Sequence, residues 1–301
     1  MKKTIVVCIG AMICCVLWGS AFPCIKLGYS FMQIAGNDTA TQILYAGLRF
    51  TLAGVLTVLI GSVSYRKFLI PKKKSIGKIF SLSMLQTVLQ YLFFYIGLAH
   101  TSGVKASIIE GLNVFVAILV ASLIFRQEHL TSKKILGCIL GFAGVVLVNI
   151  SGKQVDFNLS LLGEGFIFFS TIAYAFSSVL MKKYSREENP VLLSGWQFVT
   201  GGIIMTLAGF LMGGRIQVFT AKSVGMLIYL AMVSAAAYSL WSLLLKYNPI
   251  SRVAVYGFMN PVCGVLLSAL LLDEAGMLSV SAVFALVLVC GGIYIVNRKS
   301  G

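Results

Sequence analysis

Acidic side chains are scarce in this chain: nine Asp and Glu among 301 residues, against 24 Lys and Arg. So few carboxylates leave little room for general acid–base chemistry. Glu187 and Glu188 are flanked by Lys182, Lys183 and Arg186, and Asp273 and Glu274 close an apolar run, so neither pair has a catalytic partner. The two histidines, His100 and His129, lie at the ends of apolar runs without an HExxH context. No GxxxxGK[ST] loop is present to cradle phosphates. The seven cysteines lie mostly inside apolar segments with no CxxC pair, and read as small packing residues rather than a metal site or a disulfide framework. These absences argue against an enzyme, and neither a metal nor a cofactor is expected.

What the chain has is apolar surface. Hydrophobic residues make up 58% of it, and the mean hydropathy is +0.95. Charged residues are 11%, less than half the roughly 25% of soluble domains. Such a surface needs lipid as its solvent. The net charge of +15 would suggest nucleic acid in a soluble protein. Here the basic residues fall between apolar runs, so they read as topology signals and nucleic acid is not an expected partner.

Ten apolar runs are long enough to cross a bilayer as helices: 4–27, 41–62, 76–97, 104–125, 134–151, 161–182, 191–212, 223–246, 252–272 and 278–296. With the N-terminus in the cytoplasm, 18 of the 24 basic residues fall on the cytoplasmic side. The expectation is a multi-pass protein of the plasma (cytoplasmic) membrane with both termini inside. The first run, ending WGSAFPCIK at 18–26, carries two lysines before it and small residues within it, like a secretory signal peptide. Removing it would leave the rest equally apolar, so it reads as a retained first helix. Pro23 and Lys26 would then sit at its outer end.

The second half echoes the first. At a shift of 148, Gly47, Gly54, Gly61 and Gly77 land on Gly195, Gly202, Gly209 and Gly225. Asn113 meets Asn260 at 147, Glu128 meets Glu274 at 146, and Lys26 meets Lys182 at 156. Each copy holds five spans, an odd number, so the second must enter the membrane from the opposite side. The expected fold class is an all-α integral membrane protein: ten transmembrane helices as two inverted repeats of five, residues 1–152 and 153–301. Inverted repeats are the signature of secondary transporters, with the binding site near mid-membrane between the halves.

Five short motifs add a resemblance: WGSAF at 18–22, LRF at 48–50, GVVLVN at 144–149, NPV at 260–262 and DE at 273–274. Through them the whole chain resembles the EamA-type exporters of the drug/metabolite transporter superfamily. The resemblance implies efflux of a small polar metabolite such as an amino acid. The first copy reads Asn113-Val114 where the second reads Asn260-Pro261, which implies a straighter fourth span. Amines, drugs and sugar-phosphate-like anions are alternative cargoes, and a non-transporting structural or interaction protein is the alternative role.

Polar residues inside spans cost roughly 2.5–3.5 kcal/mol each when charged and central, so they usually face protein or water. Arg49 and Glu110 are the deepest charges. They either bind a carboxylate and an amine (or a proton) or pair with each other and lock spans 2 and 4. Gln86 and Gln90, four apart in span 3, share a helix face, and meet Ser234 and Tyr238 of span 8 with Trp241 continuing that face. With Asn113, Asn260, Gln197 and Trp196 they complete the expected substrate site. Trp18, Phe22, Pro23, Lys26, Tyr91, Tyr95 and Lys105 form its expected gate or rim. Glycines 137, 141 and 144 suggest close helix packing within one copy. A monomer or weak dimer is expected, with the bilayer, a small molecule and a proton as candidate partners.

Overall fold

The computed structural model describes residues 3–101, 103–150, 159–271 and 280–298. They form ten apolar helical segments: α1 (Thr4–Phe31), α2 (Thr39–Ser64), α3 (Lys73–Ala99), α4 (Lys105–Ile124), α5 (Ser132–Ile150), α6 (Leu161–Tyr184), α7 (Pro190–Leu211), α8 (Ala221–Tyr247), α9 (Ile250–Leu267) and α10 (Val280–Asn297). The expected boundary between residues 152 and 153 lies outside the described residues, as do Asp273 and Glu274.

Helix ends follow local chemistry. Asp38 caps α2 by accepting from Thr41 N at 3.0 Å. Asn189 caps α7, with Pro190 in the first turn where no N–H is missed. Thr220 and Ser223 form a reciprocal capping box on α8. Large apolar side chains such as Val63, Phe210 and Val283 stay exposed, as a lipid-facing surface requires.

The glycine repeat becomes a scaffold. α2 and α7 are repeat equivalents and pack closely on each other. A methyl on Gly47 would strike Thr206, one on Gly202 Thr51, one on Gly54 Val199, and one on Gly195 Val58. Partner numbers fall along α7 as they rise along α2, so the pair is antiparallel. Each contact has its counterpart at the shift of 148, which puts a pseudo-twofold axis through the crossing. α5 and α10 repeat the arrangement: Gly137 meets Val296, and Gly144 meets Ala285 and Val289. Small residues let backbones approach where lipid supplies no hydrophobic drive.

Two three-helix bundles stand on this scaffold. One packs α1 against α8 and α9, and the other packs α6 against α3 and α4. Two of their contacts correspond under shifts of 156 for α1→α6 and 147–148 for α3→α8. Gly10 faces Leu240 where Phe166 faces Phe93, and Gly28 faces Met226 where Tyr184 faces Lys78.

Three departures from straight helices matter. Residues Ser83–Leu89 of α3 are wound as a π-helix. α9 tightens to a 3₁₀ turn over Val255–Phe258. α4, expected to be straighter for lack of a proline, is interrupted at the same level: Leu112 N donates to Ile109 O at 2.9 Å, a three-residue bond. Tight packing of Gly257 against Val114, with a methyl position 3.3 Å from Val114 Cγ2, couples the two interruptions.

Candidate functional site

A cavity of about 150 Å³ lies between the two bundles. Its wall draws on the second half of α1, the first half of α4, and the middle of α6, α8 and α9, with Arg49 entering from α2 and Gln90 to Tyr95 from α3. It therefore occupies the half of the bundle away from the face that carries Lys3. In the other half, apolar packing of Cys14, Cys15, Val179, Leu244 and Phe258 fills the space.

The scaffold places Arg49 one turn from the pseudo-twofold axis, on the same stretch of α2 as the glycine contacts. Arg49 is 4% exposed. Its guanidinium lies 4.3 Å from the Phe50 ring centroid and 5.9 Å from that of Tyr91, within cation–π range. Its Nε has no hydrogen-bond partner. Glu110 lines the same cavity, half-buried. Among the described residues no ion pair involves either side chain, so the Arg49–Glu110 lock is not formed. A buried, unpaired guanidinium is costly to keep, and a cavity whose wall carries both it and an unpaired carboxylate can take up a ligand with both charges.

Aromatic rings complete the wall. Tyr91 and Tyr238 share a hydroxyl–hydroxyl bond of 2.9 Å across the cavity. Trp18 packs edge-on against Tyr238 at 5.1 Å and Trp241 at 5.0 Å, and Tyr95, Phe22, Asn113 and Asn260 join the lining. The buried Gln90 Oε1, Asn260 Oδ1 and Trp18 Nε1 lack hydrogen-bond partners. Orphaned polar atoms of this kind in a cavity wall are available to a ligand or to water.

Other residues of the sequence reading stand elsewhere. Gln86 does not reach the cavity; its Oε1 accepts from Gln197 Nε2 at 2.8 Å, tying α3 to α7 in the core. The π turn breaks the 3.6-residue register that would have kept Gln86 on the face of Gln90. Trp196 donates to Leu69 O at 2.7 Å and fixes the segment after α2. Trp241 packs behind Trp18, in the apolar core rather than on the wall. Pro23 is buried in α1 without lining the cavity, and Lys26 is exposed one turn beyond it. Lys105 lies 3.3 Å from Glu164 Oε1, and Thr101 donates to the same oxygen at 2.5 Å. The counterpart at the opposite face is Arg252, which donates to Thr4 Oγ1 at 2.6 Å.

Sequence reasoning missed Glu164 and the wall positions Tyr174, Phe94 and Ser107. Glu164 had a signal: an acid four residues into an apolar run, at the same face as Lys105. Tyr174 was visible as the repeat counterpart of Trp18, and both line the cavity. Phe94 and Ser107 carried none, being ordinary residues of membrane helices.

Comparisons with known proteins bear on the family and the fold. The profile of the EamA-like transporter family matches residues 5–150 and again 161–298, one match for each set of five helices. An uncharacterized transporter of Archaeoglobus fulgidus is 30% identical over 99% of this chain and all of its own length. A probable amino-acid metabolite efflux pump of Escherichia coli is 28% identical over 95% of this chain and 92% of its own. A solved crystal structure, 16% identical, superposes with a TM-score of 0.78 over 98% of this chain and 97% of that one, which shows a shared fold. Two family matches on two antiparallel sets of helices, together spanning nearly the whole length, make this a multi-pass membrane protein and a transporter rather than an enzyme: the chain belongs to the EamA-like transporter family.

Proposed function

We propose that this transporter exports a small zwitterionic metabolite, of the amino-acid class, by alternating access of the cavity to the two sides of the plasma membrane. One observation carries the reading: Arg49 and Glu110 line a single cavity and are not paired with each other. Arg49 then meets the carboxylate, Glu110 the ammonium group, and the rings of Trp18, Tyr91 and Tyr238 the apolar part. The volume of about 150 Å³ is that of a cavity which accepts a benzene-sized molecule, so the cargo is small. The Escherichia coli relative, whose name gives amino-acid metabolites and efflux, supports the class and the direction. The distribution of Lys and Arg supports cytoplasmic termini, and residues 1–152 and 153–301 act as the two repeat units. Glu110, the acid in the cavity wall, is the group proposed to carry a coupling proton.

Counterflow in proteoliposomes tests the reading. Vesicles preloaded with unlabelled amino acids should accumulate the labelled compound, whereas simple amines or simple carboxylates should drive little. Flux driven equally by monofunctional amines would refute the two-charge site and favour an amine or drug cargo.

A further inference from the structure

The two bundles obey the pseudo-twofold axis internally and break it where they meet. Near the face that carries Lys3, α6 packs on α8. The ammonium of Lys182, at the end of α6, donates to Leu245 O at 3.0 Å and also to Asn248 O. Those carbonyls belong to the last turn and cap of α8, where a helix has unsatisfied acceptors and the negative end of its dipole. Glu128 strengthens the same junction by accepting from Ser251 N at 2.9 Å and Ser251 Oγ at 2.5 Å. This face is latched shut.

The symmetry-related helices near the far face are α1 and α3. Among the described residues their backbones show no comparable packing; the cavity lies between them at Phe22 and Phe94, and only the side chains of Tyr29 and Tyr95 approach each other beyond it. The axis maps Lys182 onto Lys26, Leu245 onto Leu98 and Asn248 onto Thr101 (shifts of 156, 147 and 147). The same mapping already relates Gly10–Leu240 to Phe166–Phe93. Lys26 is exposed and makes no hydrogen bond or ion pair among the described residues, and it stands one turn beyond Phe22 on the cavity rim.

We propose that Lys26 is the second latch. When the cavity closes toward the far face and opens toward the near one, the Lys26 ammonium docks on the carbonyls that end α3, Leu98 and Thr101, as Lys182 now docks on those that end α8. The two lysines alternate, each holding the face that the other releases. A lysine suits the role because a flexible point charge can engage two carbonyls and let go, with no geometry-bound partner to break. The inference rests on the alternating-access reading but not on the identity of the cargo.

Ile25→Cys, in the cavity wall beside Lys26, serves as reporter in the full chain in membranes. A membrane-impermeant maleimide is applied from the far face, with the reporter-free protein as baseline for native cysteines. Lys182→Met should slow labelling about tenfold or more, the shift that loss of a charge-assisted hydrogen bond produces. Lys26→Met alone should not slow it. The double variant should return to within about threefold of the parent rate, because the latches then cancel. A double variant as slow as Lys182→Met, or no slowing by Lys182→Met, overturns the proposal. As a second measurement, Ile25→Cys with Leu98→Cys, which keeps Lys26, should become bridgeable by a short bifunctional thiol reagent when Lys182→Met is added. Misfolding would not produce that gain, and no gain refutes the approach of α1 to α3. None of these readouts needs substrate, so a failed counterflow experiment and a failed latch remain distinguishable.

Discussion

Gly54→Ala should loosen the scaffold on which Arg49 is mounted, and the structure sets the size of the effect. A methyl on Gly54 would lie 2.7 Å from Gly195 O and 2.8 Å from Val199 Cγ2, with Val199 N closer still. Two of those atoms are backbone, so no rotamer change relieves the clash and α7 must move. Overpacking of this kind typically costs about 1–3 kcal/mol. Against it stands the helix propensity gained on replacing Gly by Ala, about 1 kcal/mol. Gly77→Ala supplies the control, because a methyl there meets nothing within 4 Å and gains the propensity alone. Subtracting one variant from the other cancels propensity and leaves the packing cost, about 1–3 kcal/mol. At roughly 2–4 °C per kcal/mol, Gly54→Ala should melt about 2–12 °C below Gly77→Ala in the same detergent. Arg49 lies little more than one turn from Gly54 on the same helix, so substrate binding should weaken in Gly54→Ala and not in Gly77→Ala. Equal melting of the two variants would refute the close crossing and, with it, the position of the pseudo-twofold axis.

Further outcomes follow from the same geometry. Gln86→Leu should destabilise by about 1–3 kcal/mol, because it strands the buried Gln197 amide. Adding Gln197→Leu should recover much of that loss, measured by thermal unfolding, with transport specificity unchanged. Arg49→Gln should raise the Kd for amino acids about a hundredfold, the scale for removing one partner of a buried charge pair. It should barely affect amines, as read by isothermal titration. Glu110→Gln should abolish the response of uptake to an imposed pH gradient in liposomes while substrate-free labelling of the cavity stays normal. A full response would remove the proton from the mechanism. Trp196→Phe loses one bond to Leu69 O and should leave transport rates intact while lowering the melting temperature by a few degrees, consistent with a net hydrogen bond of about 1 kcal/mol.

Residues of one polar type separated cleanly in the fold. Gln86 and Gln90 look alike in sequence, yet one is a core hydrogen bond and the other lines the cavity. The π-helical segment Ser83–Leu89 shifts the register between them, and nothing in the local sequence announces it. Lys105 was legible as a membrane-edge lysine, but its partner Glu164 sits 59 positions away on another helix. Asn113 and Asn260 were legible as a pair because the repeat marks them twice, and both reach the wall. Trp196 and Trp241 carried no such mark of direction. An aromatic residue in a membrane helix can face core, cavity or lipid at similar local cost.

The sequence by itself determined the solvent, the number of spans and the opposed orientation of two related halves. Hydropathy is a local property summed over about 20 residues, and five is odd, so neither conclusion needed a contact. Only the tertiary structure decided which side chains converge. Three-dimensional packing put Arg49 and Glu110 in one cavity without pairing them, gave Lys182 its carbonyls and left Lys26 without any. The repeat makes the two lysines equivalent, and the conformation described satisfies only Lys182. The asymmetry between them is therefore a property of the fold's present state, written nowhere in the order of residues.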